Sequence, residues 1–207
     1  MDTTDPLAMS VREFLSATAA KTPTPGGGSV AALAAAFGAS LAQMTLRFSI
    51  GKKALAPHAE YHTRLTERLD KYRLIFETLV SEDIAAFELY QQANAMDASS
   101  EKAQSLQHAT AAAVNVPREL AKVSLRLLED LAEFADKCNR WLITDLLAAG
   151  ALAVASVTLS DYNVRINLPN VTDPAVASDI RQSSSSDLAR AKTIHRQIEE
   201  STKDMLG

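Results

Sequence analysis

Pro23-Thr24-Pro25-Gly26-Gly27-Gly28-Ser29 leads into a stretch with no charged residue between Thr22 and Leu46. Two prolines stiffen the approach, three glycines free the backbone, and Ser29 stands where a helix should be capped. The residues after it are mostly alanine and other small or apolar types: Ala31, Ala32, Ala34, Ala35, Ala36, Gly38, Ala39 and Ser40 give the helix little bulk. A helix that is apolar all round belongs inside a bundle. Its N-terminus presents unpaired N–H groups and a partial positive charge, which suit an anion. Pro25, Gly26, Gly27, Gly28 and Ser29 therefore read as a turn and cap, and equally as candidate binding residues.

Working outward, the chain reads as helices throughout. Ser10-Val11-Arg12-Glu13 is a capping box for a short helix to Ala20. The helix capped by Ser29 runs from Val30 to Ile50 and stops at Gly51. Pro57 sits in the first turn of a third, from His58 to Ala95. Ser99 or Ser100 caps a fourth, to Asn115, and Pro117 restarts or kinks the chain into a fifth, to Cys138. A sixth covers Leu142 to Tyr162. Val164 to Leu168 has strand character and ends at Pro169-Asn170. An amphipathic helix covers Asp179 to Met205. No sustained apolar–polar alternation occurs, so no substantial sheet is expected.

The sixth helix resembles the second in composition. Between Arg140 and Asp161 its only charge is Asp145, and Ala148, Ala149, Gly150, Ala151, Ala153 and Ala155 keep it thin. Its length approaches a membrane span. Its Ala, Ser and Thr content, its carboxylate and the lack of a basic flank favour a buried bundle helix instead. Thin helices pack with close axes. The expected fold is all-α: a single-domain helical bundle over residues 1–207 with two buried Ala/Gly-rich central helices. Uncharged helical surface on this scale also leads us to expect a homodimer.

Composition narrows the function classes. The 207 residues are 47% hydrophobic and 22% charged, with net charge -4. That acidity argues against a nucleic-acid module. The single cysteine, Cys138, rules out an intrachain disulfide framework and a cysteine-rich zinc site. The polar, acidic start has no signal-peptide pattern, and a cytoplasmic protein is expected. His58, His62, His108 and His195 read as solvated. His58 and His62 are spaced i, i+4 but have no evident third ligand, so no metal site is expected.

Two carboxylates interrupt apolar patterns. Leu65, Leu69, Tyr72, Phe76 and Leu79 form a seam in steps of four and three, and the next step lands on Asp83. Burying an ion is expensive unless it is paired or hydrogen-bonded. Asp83 is thus either a satisfied structural carboxylate or a catalytic one. Asp145 poses the same choice, with Asn139 or Thr144 able to cap the helix start. Paired titratable groups in apolar surroundings set up acid and base roles. Lys52 and Lys53 follow Gly51 either as dipole complements or as anion holders. Asn163, Arg165 and Asn167 offer amides and a guanidinium able to read a heterocycle.

Taken in order, these motifs resemble the cyclodeaminase/cyclohydrolase family of one-carbon folate enzymes. The carriers are Pro23–Ser29 with its Ala-rich helix, Ile50-Gly51-Lys52-Lys53, Glu82-Asp83-Ile84-Ala85-Ala86-Phe87, Val116-Pro117, Asn139 with Thr144-Asp145, and Asn163 to Asn167. The sequence departs from the family pattern at Thr144, where serine is usual, in Leu46–Ser49, where an asparagine is often found, and at Ala54, where a further lysine is frequent. The resemblance implies an all-helical dimer that binds a tetrahydrofolate derivative as substrate, with no tightly bound cofactor. It implies catalytic roles for Asp83, Asp145 and Lys52, with Pro25 to Ser29, Lys53, Asn139, Thr144, Asn163, Arg165 and Asn167 binding substrate. Three functions stay open: methenyltetrahydrofolate cyclohydrolase, formiminotetrahydrofolate cyclodeaminase, and a catalytically inactive folate-binding dimer.

Overall fold

A computed structural model describes residues 5–206. Six α-helices account for most of them: α1 (Val11–Ala19), α2 (Gly27–Arg47), α3 (Ala59–Ala95), α4 (Ser100–Phe134), α5 (Ile143–Asn167) and α6 (Pro174–Thr202). Short 3-10 turns link several of them, and there is no strand among the described residues. Helices α2, α3, α4 and α5 pack in a ring, each against the next and α5 against α2. Helix α6 lies in the groove between α4 and α5. The core they enclose includes Leu46, Leu65, Phe76, Leu127, Leu131, Phe134 and Leu146, all nearly inaccessible to solvent.

Local chemistry sets the helix boundaries. The Ser10 hydroxyl accepts from the Glu13 amide while the Glu13 carboxylate accepts from the Ser10 amide, as the capping box requires. Helix α2 begins earlier than expected. Gly26 is its N-cap and makes no side-chain bond, and Ser29 lies within the first turn with its hydroxyl free for other work. The helix closes at Arg47, and the chain leaves through Gly51 at φ 78°. That left-handed conformation suits glycine.

Several expectations fail for identifiable reasons. The fourth and fifth predicted helices are one, α4, with Pro117 buried inside it. Proline deprives the Ala113 carbonyl of its usual i+4 donor. The Asn167 amide, donating from α5 at 3.2 Å, replaces it. Val164–Leu168 is not a strand: α5 continues to Asn167 and a 3-10 turn follows. Helix α6 starts at Pro174, not Asp179. Asp173 caps it, accepting from the Ala175 and Val176 amides at 2.8 and 3.3 Å. Two histidines expected to be solvated are not: His62 is buried and bonded to the Lys137 carbonyl at 2.8 Å, and the His195 ring packs against Gly150 with its Nε2 shielded from solvent. Cys138 is a buried free thiol whose S–H donates to the Ala135 carbonyl.

Helices α2 and α5 run antiparallel and in close contact. A Cβ added at Gly38 would stand 3.1 Å from the Ala149 carbonyl oxygen and 3.4 Å from Leu152 Cβ. Buried serines assist: Ser124 and Ser156 pair their hydroxyls across α4 and α5 at 3.2 Å. Yet neither helix is enclosed all round. Phe37 on α2 and Ala148, Ala151, Ala155, Tyr162 and Ile166 on α5 are exposed.

The contact at Gly38 yields a stability prediction. Alanine gains about 1 kcal/mol of helix propensity, but crowding a rigid backbone carbonyl costs roughly 1–3 kcal/mol. Gly38→Ala should be near neutral to mildly destabilising in thermal melts, and Gly38→Val, bulkier and β-branched, clearly more so. Equal stability of Gly38→Val and wild type would contradict this packing.

Candidate active site

The N-terminus of α2 meets the middle of α3 where the seam of Leu69, Phe76 and Leu79 reaches Asp83. Gly28 makes this meeting possible. A Cβ there would lie 1.9 Å from Asp83 Oδ1 and 2.5 Å from its carboxyl carbon. The carboxylate thus occupies space that any other residue at position 28 would fill. The Ser29 hydroxyl donates to Asp83 Oδ2 at 2.7 Å. Burial pushes the Asp83 carboxyl above the usual carboxylate range, and hydrogen bonds from the Ser29 side chain and backbone oppose that rise. Desolvation wins because no cation among the described residues stands against Asp83.

Asp83 borders a cavity of about 410 Å³. One wall is the glycine turn, Pro23, Thr24 and Gly26 to Gly28; another is Ala86, Phe87 and Tyr90, on the turns of α3 that follow Asp83. Helix α4 contributes Ala113, Val116 and Pro117, and the end of α5 contributes Asn163, Ile166 and Asn167, with Asn170 beyond it. Asn163 and Asn167 direct their amide nitrogens to the Leu159 and Asn163 carbonyls at 2.9 Å, one turn back. Their Oδ1 atoms remain as acceptors. The cavity therefore combines one carboxylate, amide acceptors, two aromatic side chains and a helix N-terminus, and its lining contains no lysine or arginine.

Of the sequence-predicted residues, Gly26, Gly27, Gly28, Asp83, Asn163 and Asn167 converge on this cavity. Ser29 stands behind it as the donor to Asp83. Pro25 is buried beside the turn without lining the cavity. The others lie elsewhere in the protomer. Lys52, Lys53 and Thr144 are exposed, and Asn139 and Asp145 half-buried, at the opposite end of the α2–α5 pair. There the Asn139 amide donates to Ser49 Oγ at 2.8 Å. Helix α2 has 21 residues, about 30 Å at 1.5 Å per residue, and that length separates the two groups. The expectation that Asp83 and Asp145 share one cavity within a chain is thus corrected. Sequence order does not reveal that the motifs sit at opposite ends of antiparallel helices. Arg165 is also reassigned: it pairs with Asp161 at 2.6 Å and lies over the Tyr162 ring.

Sequence reading missed Asp161. It is buried, held by Arg165 and by the Ser184 hydroxyl at 2.8 Å, and ties α5 to α6. It also missed Tyr90 and Asn170. Tyr90 continues the Asp83–Phe87 face by a further turn, so the helical step could have found it. Asn170 follows a turn proline and gives no such signal.

The glycines separate sharply in what they tolerate. A Cβ at Gly27 meets nothing within 4 Å. Gly27→Ala should therefore retain most ligand binding. Gly28→Ala must displace the Asp83 carboxylate and break its bond to Ser29, and should lower kcat by about 100-fold, the scale of a misplaced catalytic group. Comparable activity in the two variants would refute this division.

Comparison with known proteins agrees with this architecture. The sequence profile of the formiminotransferase-cyclodeaminase family matches residues 10–186. A methenyltetrahydrofolate cyclohydrolase from Methylorubrum extorquens is 29% identical, the match covering 96% of this chain and 98% of that protein. The formimidoyltransferase-cyclodeaminase of Sus scrofa is 35% identical over 91% of this chain, which spans 35% of that longer protein. The crystal structure of a formiminotetrahydrofolate cyclodeaminase from Thermotoga maritima superposes with a TM-score of 0.89 at 26% identity, covering 97% of this chain and 99% of that one. The all-helical fold, the ordered motifs and the profile match agree: this chain belongs to the formiminotransferase-cyclodeaminase family.

Proposed function

We propose that this protein is a methenyltetrahydrofolate cyclohydrolase, working as a cytoplasmic homodimer of one cyclodeaminase-type domain. Water adds to the bridging carbon of 5,10-methenyltetrahydrofolate and opens the ring to 10-formyltetrahydrofolate. The observation that carries this reading is Asp83, a half-buried carboxylate of raised pKa fixed by Ser29 in a cavity without other charge. The Methylorubrum relative, aligned over nearly the whole of both chains, supports the cyclohydrolase choice. The free thiol of Cys138 suits a reducing compartment.

The chemistry follows from charge. The methenyl bridge is a cationic amidinium, and its carbon is the electrophile. An anionic carboxylate attracts that cation and can accept a proton from an attacking water. The water oxygen bonds to the bridging carbon as its proton passes to Asp83. The new hydroxyl then gives up its remaining proton to solvent as the bond from that carbon to N5 breaks and the formyl C=O forms; N5 takes up the proton held by Asp83, the formyl group stays on N10, and one proton is released overall. The Phe87 and Tyr90 rings offer apolar surface to the flat pterin. Asn163 and Asn167 Oδ1 offer acceptors for its N–H groups.

A second reading, formiminotetrahydrofolate cyclodeaminase, draws support from the Thermotoga structure. There the carboxylate would serve ring closure with loss of ammonia. Side-by-side absorbance assays separate the two. A cyclohydrolase accelerates decay of the methenyl chromophore; a cyclodeaminase generates it from the formimino compound. Wild type that binds a folate and accelerates neither reaction would be the inactive binding protein. Asp83→Asn should cut the rate by about 10²–10⁴-fold, the usual range for a positioned general base, with helical circular dichroism unchanged.

Acidity gives a further prediction. The base works only when ionised, so kcat/KM should fall as pH drops through the Asp83 pKa. Burial sets that limb above the ordinary value of 3.8. Asp83→Asn should lack the limb. Stability runs the other way: a carboxyl whose pKa is raised by folding loses stability as pH rises from its unfolded pKa through its folded one. The melting temperature of wild type relative to Asp83→Asn should therefore improve on acidification. A limb at or below the ordinary carboxylate value would count against Asp83 as the base.

A further inference from the structure

We propose that the cavity beside Asp83 continues past Asn170 into a second one, where Arg118 receives the carboxylate tail of the folate. The inference rests on the folate reading above and names where the far end of that substrate sits. The second cavity has a volume of about 320 Å³ and lies between α4 and the chain that enters α6. Asn170 lines both cavities, so the two are neighbours across one side chain. On α4 the boundary falls between consecutive residues: Val116 and Pro117 face the first cavity, Asn115 and Arg118 the second.

The two walls differ in the way a folate requires. The first has no lysine or arginine, although a folate ends in carboxylates. The second has one cation, Arg118, half-buried and in no ion pair among the described residues. Its guanidinium makes a single hydrogen bond, from Nη1 to Asn115 Oδ1 at 3.2 Å, which leaves most of its N–H groups for a ligand. A planar fork of this kind fits a carboxylate. The only carboxylate on that wall, Asp173, turns its Oδ1 to the Ala175 and Val176 amides as the cap of α6. The floor is apolar: Val114 and Ile180 are buried, and Val171 packs against them. Such a surface suits the benzoyl ring that joins pterin to glutamate. The asparagines set the direction. Asn163 and Asn167 stand one turn apart on α5, and Asn170 follows. A pterin whose 2-amino group meets Asn163 and whose N8–H meets Asn167 points C6, the carbon that carries the tail, toward Asn170. Its N5 edge, with the methenyl carbon, then turns to α3 and Asp83 across the helix ring.

Two substrates that differ only in the tail test this. With 5,10-methenyltetrahydrofolate, Arg118→Gln should raise KM about ten-fold, the scale of a half-exposed charged hydrogen bond. The wild-type KM should also climb with salt, and the variant's less steeply. With the analogue whose tail ends at an uncharged benzamide, the two proteins should agree within about two-fold, because the interaction is missing from both. Arg118→Lys, which keeps the charge and loses the fork, should recover part of the difference. An equal loss on both substrates would make Arg118 a structural residue, and no loss on either would put the tail elsewhere; each result overturns the proposal. A second readout is independent of turnover. In titration calorimetry, p-aminobenzoylglutamate should bind Arg118→Gln about ten-fold more weakly than wild type. That difference in a protein that acts on neither folate would leave the tail site standing and sink the enzymatic reading. A working enzyme in which Arg118→Gln leaves the fragment's binding unchanged overturns the tail site alone.

Discussion

The contact between Gly28 and Asp83 organises the functional end of the molecule. With the carboxylate oxygen 1.9 Å from the point where a Cβ would begin, the α2 backbone and an ionisable group of α3 share a volume that permits no side chain. The closeness brings the Ser29 hydroxyl within 2.7 Å of the same carboxylate. It also forces the preceding chain to turn away sharply, and the turn forms a cavity wall. One missing methyl group thus links helix placement, carboxylate orientation and cavity shape. Such a group is costly to leave in a protein interior. Here bonds from the Ser29 hydroxyl and backbone fix its position while the open cavity spares it full burial, which leaves a carboxylate that is held in place and only partly stabilised.

The remaining packing serves to hold α2 and α5 in register. The cavity draws residues from both helices, so a slide along their common axis would pull Asn163 and Asn167 away from Gly26–Gly28. Gly38 against the Ala149 carbonyl resists that slide by close approach, and Gly150 against His195 seats α6 on α5. The Asn139–Ser49 bond fixes the far end. Polar ties on the other faces fix the neighbours: Gln43 donates to Asp70 at 2.7 Å, and Arg68 and Tyr72 both reach Asp130 at 2.9 Å. Pro117 illustrates the same economy. By freeing the Ala113 carbonyl it creates an acceptor that Asn167 needs, so a residue that disfavours a helix instead fastens α4 to the end of α5 beside the cavity.

How far the sequence discloses this structure depends on the range of the forces involved. Short-range signals read well: the Ser10 capping box, the Gly51 terminus, the long α3 and the seam that delivers Asp83. The errors arise where a tertiary partner overrides local preference. Proline at position 117 looks like a break because its substitute donor comes from a helix about fifty residues away. β-Branched Val164 and Ile166 resemble a strand, yet α4 and α6 bury Val164 within a continuous helix. Asp161 looks like the polar end of an apolar run, and only the fold supplies Arg165 and Ser184 around it. Asp173-Pro174 carries the local signal of a cap and first turn, which is where α6 begins. The functional motifs were legible in kind, since glycine loop, seam carboxylate and paired asparagines do converge. Their division between two ends of a helix pair was not, because spacing along a chain carries no information about the direction in which helices pack.

That division also explains why this fold would tolerate so much uncharged surface. Phe37 and Phe48 stand exposed among half-buried Val30, Ala34, Leu41 and Met44, and charged side chains along this face would reduce the apolar surface it presents. None appears on α2 between Gly27 and Leu46. Charges enter only at the margins, with Arg47, Lys52 and Lys53 at one end and Asp83 at the other. The same distribution gives the two ends of the α2–α5 pair opposite character, a basic margin at Lys52 and Lys53 and a carboxylate-bearing cavity at the other.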